Sequence, residues 1–156
     1  MMRISHYLDK DCIKIPLVKN KKYEIIEELL DLIAHKYPEI DKEETIKNLL
    51  DREKIESTAI GNHVAIPHAR MKNIRKVYFA FGIPEKSVEF EALDKKPVNL
   101  VFLLLCPEKK VNTQISLLAR LSRILHDKNL RKKLSKCKNS QNVIKVFTEY
   151  ENKHFS

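Results

Sequence analysis

Glycine is scarce in this chain, with two residues in 156, Gly61 and Gly82. Tryptophan is absent, and cysteine is limited to Cys12, Cys106 and Cys137. These three are scattered, odd in number and form no CxxC pair, so neither a zinc site nor a disulfide framework is indicated. They read as buried or incidental thiols in a reducing compartment. Long hydrophobic runs are missing too. The longest, Val98 to Cys106, is interrupted by Asn99 and is far too short to span a bilayer. The N-terminal MMRISHYLDKD returns to charge before any apolar segment of signal-peptide length. A soluble, cytoplasmic protein with no membrane span is therefore expected.

What is present is positive charge and enough apolar residue for one core. The formal net charge is +9, with lysines clustered at Lys19 to Lys22, Met71 to Lys76 and Arg131 to Lys138. A basic balance favours nucleic acid, anionic membranes or acidic protein partners. No aromatic residue is interleaved in the Arg131 to Lys138 run and no nucleic-acid motif is visible, so a solvated lysine-rich face is the simpler reading. A nucleic-acid binder would instead show affinity that falls steeply with salt.

The patterning predicts helices at both ends and strands between them. Cys12 to Val18 is β-branched and strand-like, with Pro16 arguing for an edge. KKYEIIEELLDLIAHKY puts Ile26, Leu29, Leu30, Ile33 and Tyr37 on one helical face, and Pro38 ends it. Asp41, with Glu44 three residues on, opens a second helix to about Glu53. Val77 to Ile83 and Val88 to Ala92 each alternate with period two, as strands do. Val98 to Cys106 is apolar on both faces and so reads as a central strand. Thr113 is placed as the cap of the next helix, Asp127 as the start of a basic one, and Ser140 as the start of the last. The expected architecture is one α/β domain over residues 1–156. Its mixed sheet of about five strands is flanked by helices.

The stretch TAIGNHVAIPHAR, Thr58 to Arg70, carries the chemistry. If Val64 to Ala69 is extended, His63 and His68 point to opposite sides, which counts against a metal held by that pair; no HExxH arrangement is present either. Pro67 forces Ile66 to be extended and fixes its own φ, so His68 leaves a stiff backbone. Gly61 permits left-handed backbone just upstream, and Thr58 and Asn62 offer polar groups nearby. An imidazole held this way suits a nucleophile. It equally suits a hydrogen-bonded loop histidine, and the residues alone leave both open.

LLDREKIESTAIGNHVAIPHAR resembles the active-site signature of the enzyme IIA proteins of the bacterial phosphoenolpyruvate-dependent phosphotransferase system. The similar branch is the fructose/mannitol type, and within it the nitrogen-regulatory proteins. The matching residues are Arg52-Glu53, Ser57-Thr58, Ile60-Gly61 and Ala65-Ile66-Pro67-His68-Ala69. The likeness continues through Ala92 to Glu108 and Leu117 to Leu125.

The resemblance implies that His68 accepts a phosphoryl group from an HPr-type phosphocarrier, through Nε2, with Arg52 stabilising its charge. It implies passage to an enzyme IIB cysteine, or a signalling role toward a regulated transporter or kinase, with no cofactor and no metal. Thr58, Gly61 and Asn62 are expected to donate hydrogen bonds around the phosphoryl group. Gln114 stands where the family usually has a second histidine; glutamine can donate but cannot be cationic. That departure keeps a second role in view, a regulatory binding protein that no longer transfers phosphate. At Asp94-Lys95 the family often has Asp-Gly, and lysine there predicts a different turn.

Overall fold

The computed structural model describes residues 2–155. Two 3-10 turns, Ile4–His6 and Lys10–Cys12, lead into strand β1 (Ile13–Leu17), then helices α1 (Lys22–Lys36) and α2 (Lys42–Ile55). Strands β2 (Ala59–Gly61), β3 (Val64–Ala65), β4 (His68–Met71), β5 (Tyr78–Pro84) and β6 (Leu100–Pro107) follow. Helices α3 (Val111–Ile124), α4 (Lys128–Ser135) and α5 (Ser140–Phe155) complete the chain.

The sheet is mixed and has six strands, against the five or so that the patterning predicts. Its order is β1-β5-β6-β3-β2, and β4 also pairs with β6. Strand β6 is central, as its two apolar faces predict, and all eight of its residues are buried. It pairs antiparallel with β5 and parallel with β3 at Leu100 and Val101. Further along the same side it pairs parallel with β4, where His68 faces Leu104 and Met71 faces Pro107. Strand β1, carrying Pro16, lies at the edge.

The sheet separates two cores, because alternate residues of a strand face opposite ways. Leu103 and Leu105 pack with Ile25, Ile26, Leu29, Leu30 and Ile33 of α1 and Leu49 of α2. Phe102, Leu104 and Cys106 pack with Leu117 and Leu121 of α3, Leu130 and Leu134 of α4, and Val143 and Phe147 of α5. Asp41 caps α2 by accepting the Glu44 N–H at 3.1 Å, and Asp127 caps α4 by accepting the Asn129 N–H at 2.8 Å. Each carboxylate satisfies an otherwise unpaired donor of the first turn.

Three local expectations change. Val88 to Ala92 is not a strand. Val88, Phe90 and Ala92 are buried in alternation, but only Val88 pairs, with Val98 across an isolated bridge. Here period two reports a face laid on the core, without a hydrogen-bonded ladder. Helix α3 starts at Val111, before Thr113, and its N-cap Lys110 has no side-chain capping bond. The start is set by the backbone turn that brings the Lys110 N–H to the Pro107 carbonyl at 2.9 Å. Lys95 takes the left-handed conformation, φ 60°, that glycine would ease. Asp94 holds that turn by accepting the Lys96 N–H at 3.1 Å. The run from Val64 onward is split between β3 and β4, because Pro67 has no N–H to give to a ladder.

The close packing of β1 on β5 makes a test. A Cβ placed at Gly82 would lie 2.5 Å from Leu17 Cδ1, and Leu17 is fully buried. Gly82→Ala is expected to destabilise the fold by about 1–3 kcal/mol through overpacking, read as a lower urea midpoint with unchanged slope.

Candidate functional site

The site is built where β4 passes between α2 and α3. After α2 the chain makes a β2–β3 hairpin with a two-residue turn, Asn62-His63. Both residues have positive φ, 56° and 67°, and Gly61 before them has φ 86°. Positive φ at both central residues is what a type I′ hairpin turn requires. The Ile66 N–H then bonds the Thr58 carbonyl at 3.0 Å, Pro67 interrupts the ladder, and His68 opens β4.

The His68 ring is half-buried, and its Nδ1 lies 2.7 Å from the Ile66 carbonyl oxygen. A carbonyl only accepts, so Nδ1 bears the hydrogen of the neutral ring and Nε2 keeps its lone pair. Burial pushes the imidazole below its ordinary value. The bond to Ile66 opposes this, Arg52 adds to it, Glu53 opposes it, and Arg70 adds to it. The neutral, nucleophilic ring is thereby favoured near neutral pH.

His68 opens on a shallow hollow of about 200 Å³, whose other walls include Arg52, Arg70, Gln114, Asn48 and Asp51. Arg52 comes from the last turn of α2, where its Nη1 donates to the Glu56 carbonyl at 2.8 Å. Gln114 is 5% exposed and reaches the hollow from the first turn of α3. A larger hollow of about 420 Å³ lies between α4 and α5. Its histidine, His154, rests against the Tyr150 ring with centroids 4.2 Å apart, and no arginine lines it.

The structure thus brings together His68, Arg52 and Gln114, and it does not bring Thr58, Gly61 or Asn62 into the hollow. Thr58 is buried, and both its N–H and its hydroxyl donate to the Glu53 carboxylate, the N–H at 2.8 Å. The Asn62 N–H donates to Asp94 Oδ2 at 3.0 Å, and Gly61 lies close beside the same oxygen. Both Thr58 donors and the Asn62 backbone N–H are thus already committed. His63 is also separate, its Nδ1 bonding the Pro97 carbonyl at 2.8 Å. Arg70 is the residue that sequence reasoning missed. Its signal was the strand period: it lies two residues after His68, so both side chains share a face. Asn48 follows from helical spacing, four residues before Arg52, and Asp51 lies three residues after Asn48 on that side of the helix.

Over residues 6–150 the chain matches the family described as phosphoenolpyruvate-dependent sugar phosphotransferase system, EIIA 2. It belongs to that family. It is 33% identical over 145 residues to a nitrogen regulatory protein of Bradyrhizobium diazoefficiens, covering 93% of this chain and 94% of that protein. It is 30% identical over 150 residues to the fructose-specific EIIABC component of Bacillus subtilis, covering 96% of this chain but only 24% of that longer protein. Among solved structures, the nitrogen regulatory protein IIA-Ntr of Neisseria meningitidis superposes with a TM-score of 0.86 at 28% identity, covering 92% of this chain and 98% of that one.

In this enzyme IIA domain, one imidazole and two arginines line the same hollow, which is open to solvent. Such an arrangement can receive an anionic electrophile at Nε2 and hold its oxygens by charge and N–H donation.

The lowered imidazole value carries a linkage consequence. An unfolded histidine titrates near the ordinary 6.5, above the folded His68. Between the two values the unfolded chain binds the extra proton, so stability rises with pH there and is lost as pH falls below about 6.5. The unfolding free energy is expected to drop more between about pH 7.5 and about pH 5 in the wild type than in His68→Gln. Urea titrations of both proteins at the two pH values measure the difference.

Proposed function

We propose that this chain is a phosphocarrier that takes a phosphoryl group onto Nε2 of His68 from the phosphohistidine of an HPr-type protein. The observation that carries the reading is the Nδ1 bond to Ile66, which leaves Nε2 unprotonated beside Arg52 and Arg70. Nε2 attacks phosphorus as the donor's N–P bond breaks, and the donor imidazole departs with that electron pair. The equatorial oxygens are met by the two guanidinium groups and by the Gln114 amide. No metal ion takes part in this scheme.

Gln114 favours a second reading, a regulatory binding protein of the same fold that does not transfer phosphate. Against it, Arg70 supplies the further positive charge that a glutamine cannot. The onward step is transfer to an enzyme IIB cysteine in sugar uptake, or a change in grip on a regulated transporter or kinase. Similarity along nearly all of a nitrogen regulatory protein supports the signalling role. In that role the phosphoryl group adds negative charge to a basic protein in the cytoplasm and alters which surfaces it can meet.

Incubation with enzyme I, HPr and phosphoenolpyruvate, followed by intact mass, is the test. The wild type is expected to gain one phosphoryl group and His68→Ala none. Arg52→Ala is expected to load about 100-fold more slowly. A wild type that gains nothing leaves only the binding reading.

A further inference from the structure

Lys22 is in an unusual place for a lysine. It is the first residue of α1 and is only 8% exposed. The positive end of the helix dipole disfavours a cation there, and burial of a charge requires a partner. Its Nζ lies 3.0 Å from Glu53 Oε2, and Glu53 is itself 2% exposed. The same ammonium is 3.4 Å from the Phe90 carbonyl and 3.5 Å from the Glu91 carboxylate.

From this pair a line of bonds runs to the imidazole. Glu53 accepts both Thr58 donors. The Thr58 carbonyl accepts the Ile66 N–H, and the Ile66 carbonyl accepts from His68 Nδ1. Glu53 also sits directly after Arg52 in the last turn of α2. An uncharged pair of similar volume would fill the same space without the cost of dehydrating two ions, so the charges call for a reason.

We propose that Lys22 is a positioning residue for the chemistry at His68. It holds Glu53 as the neutralised anchor of Thr58, and so fixes both the carbonyl that orients the imidazole and the helical turn that carries Arg52. Its meaning for phosphoryl transfer rests on the function proposed above. The charged groups facing His68 are Asp51, Arg52 and Glu53 from α2 and Arg70 from its own strand, while Gln114 from α3 is neutral. Of these, Glu53 strengthens the ring's hold on a proton, and both arginines weaken it. Loss of the Lys22 charge leaves the Glu53 charge unopposed, and loss of the Glu53 charge does the reverse.

The test compares Lys22→Met, Glu53→Gln and the double variant. His68 titration is followed by NMR in the unphosphorylated protein, and loading from phospho-HPr is timed at about pH 6 and about pH 8. Lys22→Met is expected to raise the His68 midpoint and to lower the ratio of acid to alkaline loading rates about threefold. Glu53→Gln is expected to move the midpoint down. The double variant, in which the side-chain amide introduced by Glu53→Gln still bonds Thr58, is expected to return toward the wild type. If Lys22→Met fails to fold, the downward shift of Glu53→Gln and its reversal in the double variant carry the test. A midpoint that is the same in every folded variant, or that moves the same way in both single variants, overturns the proposal. A wild type that takes no phosphoryl group sinks the proposed function alone, because the titration needs no donor.

Discussion

A bond that spans a single residue decides what His68 can do. Its Nδ1 reaches back over Pro67 to the Ile66 carbonyl at 2.7 Å, and without that acceptor the ring would be free to turn and to exchange tautomers. Proline makes the short span dependable, since it restricts its own φ and keeps the preceding residue extended. The same proline ends β3, because it cannot donate to the ladder. One residue therefore both breaks the strand and aims the ring that begins the next.

The surroundings of that bond come from three layers. Helix α2 delivers Arg52 from one face of the sheet, and α3 delivers Gln114 from the other. Strand β4 lies between them, where side chains from both faces converge. Behind it, Thr58 is tied to Glu53 and Asn62 to Asp94. The hairpin before His68 is thus fixed at both of its ends. Positioning rests on buried or backbone-anchored groups, while the His68 ring itself is only half-buried and lines the open hollow.

Much of this was legible because particular residues carry strong local signals. The apolar face of α1 and the Asp41 and Asp127 caps gave three helices their places. The Ile66-Pro67-His68 motif, with Arg52 upstream, pointed to the hollow through family resemblance. Other features were hidden for definite reasons. Alternation at Val88 to Ala92 comes from one buried face, and sequence does not separate that from a paired strand. Thr58 and the Asn62 backbone have free donors on paper, yet the Glu53 carboxylate five residues before Thr58 and the Asp94 carboxylate far along the chain take them up. Lys95 adopts a conformation associated with glycine because the Asp94 carboxylate holds the turn.

The size of the hollow beside His68 sets a limit on where selectivity can reside. At about 200 Å³ and open to solvent, it falls below the range of cavities that enclose a small organic molecule. A sugar has no interior compartment here to be measured against. In the function proposed above, discrimination between one recipient and another falls to whole protein surfaces meeting around this open hollow. In that proposal the surface around the hollow is free to differ from one recipient to another without any change in the imidazole or the groups that hold it.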